Sequence, residues 1–168
     1  ITGAFILFED TIAVGDYIEV AGCEGTVEAL TVRTINLRDV RGTVYTIPFS
    51  SVETVTNYTK DYAYHLAEIG VAYRENTDDV AKVLREIGEE LRADPDFSND
   101  IIAPTEIMGL DRFEDSAVVI RARLKTKPGK QWRVKREYNR RVKLKFDELG
   151  IEIPFPHTTI FFGEDKVG

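Results

Sequence analysis

Residues 117–126 read AVVIRARLKT, and the alternation within them decides the second half of the fold. Successive side chains of a strand point to opposite faces, so Val118, Ile120, Ala122 and Leu124 fall on one side. Val119, Arg121, Arg123, Lys125 and, in continuation, Lys127 fall on the other. One face is core and the other is basic. Residues 105–113 precede it as a second strand, joined through Glu114-Asp115-Ser116, a polar connection short enough for a hairpin.

Outward from this hairpin the pattern is symmetrical. Residues 62–74 alternate as a strand, and Thr77 then opens a helix. Thr77 is positioned to cap the free amides, and Asp78 and Asp79 suit the positive end of the dipole. Val80, Val83, Leu84, Ile87 and Leu91 recur at helical spacing up to Asp94-Pro95. Downstream, a second helix is predicted over about 130–149, with Val134, Tyr138, Val142, Phe146 and Leu149 on one stripe and Gly150 as its stop. Residues 157–162 read as a last strand. The order strand, helix, strand, strand, helix, strand is the split βαβ arrangement of a ferredoxin-like domain.

Residues 11–59 look different. Short β-rich runs (YIEV, TVEALTV, TINLRDV, TVYTIP, VETVTNY) alternate with turn signals and predict a small all-β barrel of the Sm-like or SH3-like kind. Residues 39–42 suit a tight turn because Gly42 accepts positive φ. The class is therefore α+β, with a β domain over 11–60, a mixed domain over 61–156 and a C-terminal strand and tail over 157–168. The first stretch, ITGAFILF, is far shorter than the roughly 20 residues of a membrane-spanning helix. It reads equally as the tail of a longer apolar helix cut from an upstream segment or as a first strand.

A chain with 43% apolar and 30% charged residues can bury a real core. Its lone cysteine, Cys23, excludes an internal disulfide and suits a reducing compartment. The net charge of −7 is uneven: residues 121–145 hold twelve of the 22 bases and one of the 29 acids. Such a stretch can concentrate anions or lie as a solvated face balanced by neighbouring acids.

Catalytic signatures are missing. His65 and His157 stand in no metal-ligand spacing, Cys23 has no base nearby in sequence, and Pro128-Gly129-Lys130 lacks the rest of a phosphate loop. Glu89-Glu90 and Asp78-Asp79 are explained by a helix surface and a helix start. No enzyme and no cofactor is expected. Nucleic-acid binding is weakened by the acidic total and by the absence of stacking aromatics in VVIRARLKT.

Several separated motifs then converge. FEDTIAVGDYIEV at 8–20 carries the pair Gly15-Asp16; Gly25-Thr26-Val27 fits G-x-V; residues 33–38 fit R-[ST]-x-x-[LM]-R; Ile47-Pro48, Asn57, IGVAY at 69–73 and GIEIPFP at 150–156 follow. In these the chain resembles the cytoplasmic region of the small-conductance mechanosensitive channel (MscS) family from about Phe5 to Phe162. Phe49 departs from the Asn common after Ile-Pro and points to a subgroup.

The resemblance implies a homo-heptamer of identical subunits whose pore helices, from missing transmembrane helices in the lipid bilayer, lead into a cytoplasmic cage on the inner side of a bacterial or archaeal cell membrane. Inorganic ions and small osmolytes would leave through it when tension opens the pore in hypo-osmotic shock. On this reading residues 1–10 end the pore-lining helix, Phe8, Gly15 and Asp16 form the pore-helix junction, and Asn57, Thr59, Lys60 and Asp61 lie at a portal or domain junction. Arg121, Arg123, Lys125 and Lys127 would form an ion-filtering basic patch. The alternative is a soluble oligomeric scaffold or nucleic-acid module of the same fold.

Overall fold

The computed structural model describes residues 11–163. The stretch 1–10, with Phe8, and residues 164–168 of the tail lie outside the described residues.

The first half is one antiparallel sheet of five strands, β1 (Tyr17–Val20), β2 (Cys23–Leu30), β3 (Thr34–Arg38), β4 (Val44–Pro48) and β5 (Val55–Asn57), in the order β4-β3-β2-β1-β5. Alternation sends Ile18, Val20, Val27, Ile35, Leu37 and Ile47 to one side, where Ile12 joins them in a common cluster. The β3–β4 turn is held by Asp39, whose Oδ1 accepts from the amides of Arg41 and Thr43 at 2.9 Å each, with Gly42 at φ 85°. Close approach of β2 to β3 requires Gly25: a Cβ there would lie 2.7 Å from the Arg38 carbonyl oxygen.

The second half is a three-stranded antiparallel sheet of β6 (Ala63–Val71), β7 (Glu106–Phe113) and β8 (Val118–Thr126), with β8 in the centre. Helices α1 (Thr77–Ala93) and α2 (Gln131–Leu149) pack on one face of it. The predicted apolar stripes meet there: Val80, Leu84, Ile87 and Leu91 from α1 and Val134, Tyr138, Val142 and Phe146 from α2. The buried Tyr138 hydroxyl donates to the Leu84 carbonyl at 3.0 Å, so its polar tip is satisfied by the facing helix. Gly150, at φ 71°, closes α2 as expected.

Two local expectations are corrected. The cap of α1 is Asn76, not Thr77: Asn76 keeps an extended backbone and its Oδ1 accepts from the amides of Asp78 and Asp79 at 3.0 and 3.1 Å, while Thr77 is already helical. Residues 157–162 form no strand. The chain after α2 meets the segment following β6 at Glu152, whose carbonyl accepts from the Ala72 amide at 3.1 Å, whose amide donates to Glu75 Oε1 at 3.2 Å and whose carboxylate pairs with Arg74 at 3.2 Å. Pro154 and Pro156 then supply no amide for a ladder. Ser116 Oγ instead accepts from the His157 amide and donates to its carbonyl, both at 3.2 Å, and residues 158–163 that follow are exposed. The mixed domain is thus a ferredoxin-like βαββα unit whose closing strand is not in its own sheet.

Candidate functional site

Two groups of residues that the sequence presents 41 or more positions apart meet in one hydrogen-bonded knot. Gly15, at φ 98°, turns the incoming chain so that its amide donates to the Val27 carbonyl at 2.8 Å. This presents the Asp16 carboxylate to the Ala13 amide at 2.9 Å and to Asn57 Nδ2 at 3.0 Å. Asn57 Nδ2 also donates to the Thr11 carbonyl at 2.8 Å. Its Oδ1 accepts from the Thr59 amide at 3.0 Å and lies 3.4 Å from Thr59 Oγ1. Thr59, buried, accepts from the Tyr17 amide at 3.0 Å.

Register explains the meeting. Strand β5 pairs antiparallel with β1, with Ile18 opposite Asn57, so the start and the end of the β domain lie side by side. Lys60 and Asp61 complete the rim of a shallow hollow with Thr11, Ile12, Ala13, Asp16 and Thr59. Asp61 has φ 65°, the left-handed region that aspartate tolerates in turns.

On the far side of the knot the two halves touch. The Tyr17 and Trp132 rings meet at a centroid separation of 4.8 Å and 65°, Tyr58 lies 5.8 Å from Tyr17, and Gln131 Nε2 donates to the Tyr58 carbonyl at 3.0 Å. Burial, followed by the nearby Glu24 carboxylate, pushes the Tyr17 phenol up to about 12, so it stays protonated at neutral pH. Sequence reasoning passed over Tyr17, Tyr58, Gln131 and Trp132. One signal was present: Trp132 lies off the apolar stripe of α2, and a large apolar side chain off the core face needs a second surface to cover it.

The basic row of β8 is balanced by its own sheet. Arg121 faces Glu68 across the ladder and lies 3.3 Å from its carboxylate and 3.5 Å from that of Asp111. Arg123 faces Glu106 and pairs with it at 2.7 Å, with its guanidinium 4.1 Å above the Tyr64 ring. Lys125 sits 4.2 Å over Tyr62. Arg112, held above its usual range first by Asp111 and then by Glu114, completes the cluster. Two of the four bases, Arg121 and Arg123, are thus met by carboxylates, Lys125 rests on an aromatic face, and Lys127 is exposed.

The three candidate reactive side chains noted in the sequence lie apart from one another. His65 is buried on β6 against Tyr138, with burial first and Lys135 second pushing its pKa down to about 4. His157 is exposed, its Nδ1 2.7 Å from the Phe155 carbonyl. Cys23 is half-buried beside the Ala21 carbonyl. Among the described residues no cluster of metal-ligating side chains occurs, and no helix is long and apolar enough to cross a membrane.

The described residues thus make a β domain and a mixed α/β domain joined by an aromatic and amide seam. Residues 1–60 match the family described as "Mechanosensitive ion channel, beta-domain", and residues 65–153 match "Mechanosensitive ion channel MscS, C-terminal". The chain belongs to the MscS family of mechanosensitive ion channels. It is 36% identical over 166 residues to the small-conductance mechanosensitive channel of Caldanaerobacter subterraneus subsp. tengcongensis, covering 99% of this chain and 58% of that protein. It is 30% identical over 154 residues to the moderate conductance mechanosensitive channel YbiO of Escherichia coli, covering 92% of this chain and 21% of that one. The crystal structure of Helicobacter pylori MscS in its closed state superposes with a TM-score of 0.76 at 26% identity, over 98% of this chain and 65% of that chain. The chain thus spans less than two thirds of each of these relatives.

Proposed function

We propose that the chain is the cytoplasmic portion of a tension-gated channel in a cell membrane, acting as a structural module without catalysis. Residues 1–10 end the pore-lining helix, the β domain over 11–60 closes a ring with identical subunits, and the mixed domain over 61–156 forms the wall of a heptameric cage. Ions and small osmolytes leave through the assembled channel in hypo-osmotic shock. In this reading Arg121, Arg123, Lys125 and Lys127 form the basic patch that tunes which ions pass, with Arg121 and Arg123 held in place by Glu68, Asp111 and Glu106.

The observation that carries this reading is the arm after α2. Ile160, Phe161 and Phe162 are 73%, 88% and 93% exposed, beyond the Ser116–His157 bonds that tie the chain to the mixed domain. An extended apolar segment with free amides and carbonyls suits strand pairing with equivalent arms of other subunits. The full-length protein, reconstituted in liposomes, should pass current when a patch is stretched, and removal of residues 157–168 should lower the yield of assembled channels. Silence of the intact protein in stretched patches rejects the reading. The chain by itself, without membrane helices, should assemble weakly and with concentration; a tight heptamer in sedimentation at low micromolar protein would contradict that.

A further inference from the structure

Asn57 occupies a position where every hydrogen-bonding group of one side chain is used. Its amide nitrogen donates twice, to Thr11 O at 2.8 Å and Asp16 Oδ2 at 3.0 Å, and its oxygen faces the Thr59 amide at 3.0 Å and the Thr59 hydroxyl at 3.4 Å. No other residue type supplies two donors and an acceptor at this length. The three segments it joins are the incoming chain at Thr11, the turn at Asp16 and the chain leaving β5 toward the mixed domain. That leaving chain carries Tyr58, whose amide donates to the Tyr17 carbonyl at 2.9 Å and whose own carbonyl accepts from Gln131 of α2. Tyr17 in turn contacts Trp132, the only tryptophan of the chain.

We propose that Asn57 is a positioning residue that couples the incoming chain to the mixed domain, so that a change in the seating of Thr11–Asp16 is transmitted through Tyr17 and Tyr58 to Trp132. The two contact sets are continuous. Tyr17 follows Asp16 directly, donates its amide to Thr59 and lends its ring to Trp132. Residue 17 is therefore common to both, bonded to the knot through its amide and to the seam through its ring. Within the proposed channel this makes the mixed domain sensitive to the position of the pore helix; the coupling itself is a property of the chain and is measured there.

The test is Asn57→Asp, read by hydrogen exchange and by Trp132 fluorescence in the full chain. The new carboxylate faces Asp16 and cannot donate, so at pH 7 exchange of the Ala13 and Tyr17 amides should quicken by about tenfold and the Trp132 emission should shift with it. At pH 4, relative to the parent chain at the same pH, a protonated carboxyl can donate to Asp16 and both signals should return toward the parent values. A role confined to filling space would give no such reversal. Trp132→Phe approaches from the other end and should speed exchange at Ala13 and Thr59. If Asn57→Asp loosens residues 11–16 while Trp132 emission stays unchanged, or if Trp132→Phe leaves the knot untouched, the coupling is overturned. Either result leaves the channel reading standing, since that reading is tested by current in stretched patches.

Discussion

Tyr17 and Trp132 lie 115 positions apart in sequence, yet their rings meet at 4.8 Å and 65°, and this contact sits on the seam between the two domains. Edge-on aromatic pairs contribute about 0.5–1.5 kcal/mol beyond the area they bury. Trp132→Ala should therefore weaken the attachment of one domain to the other more than either core. The parent chain is expected to unfold in urea in a single transition followed by circular dichroism, and Trp132→Ala in two. A variant that unfolds in one sharp step at the parent midpoint would show that the seam does not hold the domains together.

His65 predicts acid sensitivity with a definite sign. Its pKa is about 4 in the folded chain, because burial and then Lys135 oppose the charge, against 6.5 when unfolded. The unfolded chain thus takes up the proton first as pH falls. Stability from this group is complete above pH 6.5 and declines down to about pH 4, by on the order of 3 kcal/mol at most. His65→Leu should remove that decline, flattening the difference in urea midpoint between pH 7 and pH 4.5. Equal pH slopes in parent and variant would rule His65 out as the source.

Gly25 is fixed by what faces it and not by its own torsion. The Cβ of an alanine would meet the Arg38 carbonyl oxygen at 2.7 Å and carbon at 2.9 Å, and neither backbone atom can rotate aside. Gly25→Ala should cost about 1–3 kcal/mol through overpacking. The loss should appear as a lowered urea midpoint with faster exchange in β2 and β3, while β6 to β8 remain as in the parent.

The start of α1 distinguishes two neighbouring residues. Asn76→Ala removes the acceptor for two free amides and should lower stability by about 1 kcal/mol, whereas Thr77→Ala, already inside the helix, should change it by less than about 0.5 kcal/mol. Reversed magnitudes would return the cap to Thr77.

What the sequence revealed and what it concealed divide along physical lines. Alternation and 3.6-residue periodicity are local, so both helices, the β7–β8 hairpin and the Asp39–Gly42 turn were legible from the residues themselves. The α1 cap was misplaced by one position because asparagine and threonine both cap well and only backbone geometry separates them. The last strand was overread because apolar β-formers satisfy its pattern, while Pro154 and Pro156 take away the amides needed to pair it with its own sheet. Charge pairing was hidden for a related reason: the bases of β8 recur at alternate positions in sequence, but Glu68, Glu106 and Asp111 reach Arg121 and Arg123 only through strand register. Gly15-Asp16 and Asn57-Thr59 were each visible as motifs. Their meeting was not, because it depends on β5 returning to lie against β1.

That return has a mechanical consequence. The chain enters and leaves the five-stranded sheet at the same corner, with Thr11 bonded to Asn57 across it. A pull on the segment before Thr11 can pass to Tyr58 and onward to α2 by this shortcut, without shearing β2, β3 or β4. The load path thus runs through the β1–β5 side of the sheet, from which β3 and β4 hang as a side branch, free to serve as a stiff lateral spacer.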